Sequence, residues 1–94
     1  MPPAFSETMN YRIPPQVLVA HLEGEAVVLH MDTKRYYRLN DTAARIWKGL
    51  ERSETVPQIV ASLCEQFTVP PETAQREVDG MIRDLVQSGL LAQG

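Results

Sequence analysis

The chain has 94 residues, of which 44% are hydrophobic and 22% charged, and its formal net charge is −3 at pH 7. These values are typical of one small globular domain, which has room for a modest core but not for a deep, enclosed active site. The single cysteine, Cys64, excludes an internal disulfide and a multi-cysteine metal cluster, and it favours a reducing, cytoplasmic compartment. No secretory signal pattern or membrane-spanning apolar run is present in the sequence, so we expect no membrane partner.

Residues 1–14 show no hydrophobic periodicity and contain three prolines. Proline restricts the backbone and favours extended chain in the residue before it. We therefore predict a flexible N-terminal arm over residues 1–14 and a folded domain over residues 15–94.

Three short strands are predicted at the start of the domain. Residues 17–22 and 26–31 are rich in β-branched and aliphatic residues and flank Gly24, which suits a hairpin turn. A polar turn at 32–34 leads to a third strand over residues 36–39. The pairing register is open, because both faces of the first hairpin are apolar and a slip of one residue exchanges them.

The alternation of apolar and polar residues predicts which strand residues face the core. In the second strand we expect the inward residues to be Val27, Leu29 and Met31. In the third strand, Tyr37 and Leu39 should share the core face, while Tyr36 and Arg38 point the other way.

Three helices are predicted after the strands. Capping residues at 40–42 favour a helix over about 42–50, and Thr55 with Pro57 favours the start of a second helix. A third helix is expected over about 72–88 and should end at Gly89. Gly80, in the middle of this helix, is expected to mark a close approach of another backbone. Strands followed by helices predict a small α+β domain.

Catalytic chemistry is sparse in this sequence. His21 and His30 are on neighbouring strands and could lie near each other, but two histidines without a nearby acid or thiol make a weak metal site. Cys64 lies on an apolar helix face, which is typical of a buried, inert thiol. No glycine-rich phosphate loop is present. We therefore expect a non-catalytic binding module with no catalytic residue, no metal and no cofactor.

The charges are distributed unevenly along the chain. The third strand and first helix carry a basic group, namely Lys34, Arg35, Arg38, Arg45, Lys48 and Arg52. Only Asp41 and Glu51 oppose them in that window. This asymmetry is explained either by two solvated faces or by a basic surface that attracts an acidic partner.

A compact domain with three helices and a small sheet could also be a winged-helix DNA-binding protein. Its recognition helix should then be basic, because contacts to phosphates supply most of the affinity. The third helix instead carries Arg76 and Arg83 against four acids, which are Glu72, Glu77, Asp79 and Asp84. We therefore expect no nucleic-acid partner.

The predicted third strand is the last of its sheet and would leave one row of backbone groups unpaired. Such an edge can bind an extended peptide as an additional strand. If the third helix packs beside it, the two elements enclose a groove. The candidate peptide-binding residues are Arg35, Tyr36, Tyr37, Arg38, Leu39, Val78, Met81 and Leu85. The alternative, that these apolar side chains only fill the core, is favoured for Leu39 and Leu85.

The segments 28–32 and 35–47 resemble the PqqD-like family, whose members are also called RiPP recognition elements. The most specific part is the Tyr-Tyr-x-Leu-Asn-x-Thr-Ala segment at residues 36–43, and the similarity continues through Leu90-Leu91. The resemblance implies a winged-helix-like fold with a three-stranded antiparallel sheet followed by three helices. It also implies that the leader of a ribosomally made precursor peptide adds as a strand beside the third strand.

Within the family, the chain is most similar to the stand-alone recognition half of split lasso-peptide systems. This similarity implies two partner enzymes, a separate cysteine-protease leader peptidase and a cyclase. The alternative is a peptide chaperone of PQQ biosynthesis, in which the turn before the third strand usually carries a Pro-Glu-Gly-type sequence. The segment at residues 32–35, Asp-Thr-Lys-Arg, departs from that pattern.

Overall fold

Residues 11–93 are described by the computed structural model of the chain. The strands are β1 (Tyr11–Arg12), β2 (Val17–Leu22), β3 (Glu25–His30), β4 (Arg35–Leu39) and β5 (Ala92–Gln93). The helices are α1 (Asp41–Glu51), α2 (Val56–Phe67) and α3 (Pro71–Gln87). Strands β2, β3 and β4 form an antiparallel sheet in that order, and the three helices follow it in the chain. The predicted α+β class, with its sheet and three helices, is confirmed.

A second, two-stranded sheet joins the two ends of the described chain. Tyr11 pairs with Gln93 and Arg12 with Ala92, in antiparallel register. Strands of two residues give no periodic signal, and the sequence did not indicate this pairing. Most of the predicted flexible arm, residues 1–10, lies outside the described residues.

The inward face of β3 is formed by Ala26, Val28 and His30, all of which are buried. The predicted inward set of Val27, Leu29 and Met31 is therefore wrong by one residue, and Met31 is 43% exposed. Both faces of β3 are apolar, so its own pattern could not fix the register. The prediction for β4 is confirmed, since Tyr37 and Leu39 pack against the core while Tyr36 is 69% exposed.

The starts of α1 and α2 follow from side-chain caps that the sequence predicts. The Asn40 side chain accepts a hydrogen bond from the Ala43 backbone N–H at 2.9 Å. Thr55 and Gln58 form a reciprocal capping box at the start of α2. Both caps satisfy backbone donors that a helix leaves unpaired in its first turn.

The end of α3 returns the chain to the core, as predicted. Gly89 has a φ of +76°, which is the left-handed region that favours glycine. The Leu90 N–H donates to the Leu85 carbonyl at 2.9 Å, and Leu90 and Leu91 are buried. This turn places the C-terminal end of α3 beside the sheet.

One core joins the inner face of the sheet to the three helices. Its largest fully buried side chain is that of Trp47 on α1, whose Nε1–H donates to Glu51 Oε2 at 3.1 Å. Val28 from β3, Leu63 from α2 and Val78 from α3 pack in the same cluster. The core therefore fixes α1 and α3 relative to β4.

The α1–α2 contact depends on a glycine at position 49. A Cβ atom at Gly49 would lie 2.7 Å from Ile59 Cγ1 and 2.9 Å from Glu54 Oε1. We expect Gly49→Ala to lower the free energy of unfolding by about 1–3 kcal/mol, because the helices must move apart. Urea denaturation measures the change.

The matched control for this prediction is Gly80→Ala in α3. A Cβ atom there would meet nothing within 4 Å, so the expected close backbone approach at Gly80 is not present among the described residues. This variant should raise stability by about 0.5–1 kcal/mol, the usual preference of a helix for alanine. Equal effects of the two variants would contradict the steric explanation.

Candidate functional site

An open groove lies between β4, the start of α1 and the second half of α3. Its volume is about 640 Å³. The lining residues come from three segments of the chain, as Tyr37, Arg38, Leu39, Asn40, Thr42, Ala43, Ile46, Glu77, Met81, Asp84, Leu85, Gln87, Ser88 and Leu90. A groove of this size can accommodate several side chains of an extended peptide.

Apolar side chains line both walls of the groove. Tyr37 and Leu39 approach it from β4, and Met81 and Leu85 approach it from α3. Tyr37, Leu39 and Met81 are half-buried and pack against the core. Each side chain is therefore held in place on one side and keeps accessible apolar surface on the other. Methionine is well suited to such a surface, because its unbranched thioether adapts to different partners.

Strand β4 forms one edge of the three-stranded sheet in the described part of the chain. Gln16 and Met31 lie opposite each other when the β2–β3 register is continued, and the Met31 N–H donates to the Gln16 carbonyl at 2.9 Å. Backbone hydrogen bonds alternate sides along a strand, so His30, Val28 and Ala26 bond toward β4. Their partners on β4, such as Tyr37, then point their backbone groups toward β3.

The remaining two residues of β4, Tyr36 and Arg38, therefore direct their N–H and C=O groups to the outer edge. Their side chains lie on the face of the sheet opposite the core. An added strand would use these backbone groups, while its side chains would meet the groove on one face only. The edge and the groove are thus two parts of one surface.

Two of the basic residues near the groove are paired with acids that do not line it. Arg38 lines the groove, but its Nη2 donates to Glu25 Oε1 at 3.1 Å on the outer face of the sheet. Arg45 Nη2 donates to Ser62 Oγ at 2.8 Å and is paired with Glu54. Of the basic residues singled out in the sequence, only Arg38 lines the groove in the described part of the chain, and an acidic partner remains one of two alternatives for that basic group.

The eight predicted peptide-binding residues fall into two sets. Five of them line the groove, namely Tyr37, Arg38, Leu39, Met81 and Leu85. Val78 does not, because it is wholly buried in the core. Arg35 and Tyr36 are exposed on β4 but outside the lining set. Whether these eight residues bind a peptide remains a prediction.

The part of the groove formed by α1 and the polar residues of α3 was not predicted from the sequence. Thr42, Ala43 and Ile46 contribute from the first turns of α1. On α3, Glu77 and Asp84 line the groove with Met81 between them. Their spacing of three and four residues places them on one helix face, and this periodicity was a usable signal.

The two histidines lie at opposite ends of the β2–β3 hairpin, so the expectation that they could be neighbours is wrong. His21 is opposite Ala26 and His30 is opposite Val17. His21 Nε2 lies 3.0 Å from Glu51 Oε1, whereas His30 is buried and its Nδ1 accepts the Asp32 backbone N–H at 3.2 Å. Within residues 11–93, no three side chains of metal-binding type are grouped closely enough to hold an ion.

The described helices are all too short or too polar to span a membrane.

The fold and the groove define a class of protein, a small α+β domain in which an edge strand and a helix face each other across an open cleft. The sequence profile of coenzyme PQQ synthesis protein D (PqqD) matches residues 25–91. The chain belongs to this family, and the resemblance found in the sequence is confirmed.

Two solved structures are similar to this chain over most of its length. The first is TbiB1 in complex with the TbiA(beta) leader peptide, with 32% sequence identity and a TM-score of 0.79, covering 85% of this chain and 93% of that one. The second is lasso peptide synthetase B1 complexed with its leader peptide, with 26% identity and a TM-score of 0.80, covering 87% and 96%. No curated protein sequence matches the chain.

Proposed function

We propose that this protein binds the leader segment of a ribosomally made precursor peptide in lasso-peptide biosynthesis. The single observation that carries the proposal is the coincidence of an edge strand and an apolar groove on one surface. The two similar proteins, both solved with leader peptides, support it.

The binding mode that we propose is strand addition to β4. Tyr36 and Arg38 supply the backbone groups, so the main chain of the leader provides affinity whatever its sequence. Side chains of the leader that point to the core face would contact Tyr37, Leu39, Met81 and Leu85. Their burial would add the sequence preference, because alternate residues of a strand face the same side.

The role that we propose beyond binding is delivery, without catalysis, to a separate cysteine-protease leader peptidase and a cyclase. The similarity to lasso peptide synthetase B1 supports this assignment. The PqqD profile match supports the alternative, a peptide chaperone of PQQ biosynthesis. The two pathways share the same binding step and differ in the precursor, so the precursor that binds separates them.

An amide NMR titration with the synthetic leader of a candidate lasso precursor peptide tests the proposal. We expect the largest shifts at Tyr36 and Arg38 on the edge strand, and along α3 from Glu77 to Gln87, which forms the helical wall of the groove. A scrambled leader of the same composition is the control. Shifts centred on α2, or none at all, would contradict peptide binding at this surface.

A mobility-shift experiment with random DNA duplex at low salt separates this function from DNA binding. We expect no shifted band, because the candidate recognition helix α3 carries more acidic than basic residues. A shift that weakens steeply with salt would favour the winged-helix DNA-binding alternative.

A further inference from the structure

Two carboxylates of α3 face the groove on either side of Met81. Glu77 and Asp84 both line it, and both are exposed. They are seven residues apart, which is about 10.5 Å along the helix axis. Neither forms an ion pair with any residue in the described range 11–93.

Among residues 11–93, the opposite wall offers no unpaired positive charge to balance them. Arg38 is the one basic residue of this range that lines the groove, and it extends to Glu25 on the outer face of the sheet. The other acid on the same stretch of helix, Asp79, accepts from Gln75 Nε2 at 3.1 Å and lies outside the groove. The groove therefore has apolar side chains on both walls and two carboxylates along its helical wall.

We propose that Glu77 and Asp84 select leader peptides in which basic residues flank an apolar residue. This inference rests on the proposed function, and it assigns the substrate class of the same groove. The apolar residue contacts Met81, and a lysine or arginine on either side pairs with one of the two carboxylates. A peptide with acidic residues at these positions is rejected by charge repulsion.

The spacing of an extended peptide agrees with this arrangement. Residues two apart on a strand point to the same face and are about 6.7 Å apart, so the positions before and after the central one span about 13 Å. The carboxylates are about 10.5 Å apart along α3. The long, flexible stems of lysine and arginine can close a difference of this size while they cover apolar surface.

The expected contribution of each pair is moderate. An exposed ion pair typically strengthens an interaction by about two- to fivefold, and it weakens with added salt. A bound peptide would cover part of the groove and reduce the screening by water, so the upper end of this range applies. Two such pairs are enough to discriminate between leaders that have the same apolar residues.

A displayed library of random 12-residue peptides tests the inference without knowledge of the natural leader. We expect the unchanged protein to enrich peptides with Lys or Arg two positions before and after an apolar residue. The double variant Glu77→Lys/Asp84→Lys should enrich acidic residues at the same two positions. The control is Glu65→Lys/Asp79→Lys, which changes the net charge equally but outside the groove, and it should select as the unchanged protein does.

The outcomes separate this inference from the proposed function. If the unchanged protein enriches no peptide above background, the proposed function fails. If it enriches apolar peptides without a basic preference, peptide binding stands and the inference is wrong. A control variant that shifts the selection as strongly as the groove variant would also overturn the inference, since overall charge would then explain it.

Fluorescence anisotropy with one selected peptide gives the size of the effect. Glu77→Gln and Asp84→Asn should each raise Kd by about two- to fivefold at low salt, and the difference should shrink at high salt. Replacement of the paired lysine in the peptide by methionine should remove the effect of the corresponding variant. If the fold-increase in Kd for the changed peptide with the protein variant equals the product of the two single fold-increases, the two groups do not interact and the proposed pairing is wrong.

Discussion

Replacement of Tyr36 by proline is expected to weaken leader binding by about ten- to a hundredfold while the sheet stays folded. The alternation of hydrogen bonds places the Tyr36 N–H on the outer edge of β4, away from β3. Proline removes that donor, and a carbonyl of the added strand is left unpaired, which costs about 1–3 kcal/mol. Proline is tolerated on an edge strand when the missing N–H faces outward.

Two further variants test whether the loss of affinity in Tyr36→Pro comes from the missing backbone N–H. Tyr36→Ala keeps the N–H and removes the exposed ring, so it should bind much better than the proline variant. Tyr37→Pro removes a donor that points to β3, and it should lower the melting temperature instead. Anisotropy with the labelled leader gives Kd, and circular dichroism reports folding. Unchanged affinity in a folded Tyr36→Pro protein would show that strand addition does not occur at this register.

Replacement of Met81 by glutamate is expected to cause the largest loss of binding among the side-chain variants, by about a hundredfold or more. Met81 lines the groove and is only half-buried in the free protein. A glutamate there can remain hydrated until a peptide covers it. Binding then has to desolvate an unpaired charge and loses the apolar contact of the thioether. Isothermal titration calorimetry measures the loss.

Two control variants test whether the loss of affinity in Met81→Glu comes from the new charge and from its position in the groove. Met81→Leu conserves volume and apolar character, and its affinity should stay within a few-fold of the original. Val86→Glu places the same charge on an exposed residue of α3 outside the groove, and it should have little effect. Equal losses for Val86→Glu and Met81→Glu would mean that the bound peptide does not contact the centre of the groove.

The sequence predicted the elements of this fold well where each carries its own local signal. Asn40 and Thr55 marked the helix starts because a capping side chain acts within three residues. Gly89 marked the end of α3 because only its backbone conformation allows the chain to return. The faces of β4 were predictable because Tyr37 and Leu39 alternate with residues that face away from the core.

The sequence could not predict features that depend on contacts between distant segments. The register of β3 is set by its neighbours, since its own faces are both apolar and a slip of one residue exchanges them. The burial of Val78 follows from packing with residues of other elements, and a helix periodicity cannot distinguish the core face from the adjacent groove face. The α1 side of the groove was missed for the same reason.

The charge of the groove also could not be predicted from the positions of charged residues along the sequence. The basic residues are close together in sequence, yet Arg38 and Arg45 are directed to partners outside the groove. The acids Glu77 and Asp84 are separated in sequence by a full heptad and are brought to one wall by the helix. Charge counts over a window of sequence therefore do not give the charge of the groove.

The short length and composition of β4 bear on how the protein behaves at high concentration. An unpaired edge strand can pair with the same strand of a second copy of the protein, which leads to aggregation. β4 has only five residues, and two of them, Arg35 and Arg38, are arginines. Pairing two copies would bring like charges together across a short ladder, which is unfavourable. A foreign segment need not place arginines next to Arg35 and Arg38, so the two arginines disfavour self-association and leave the edge available for a different chain.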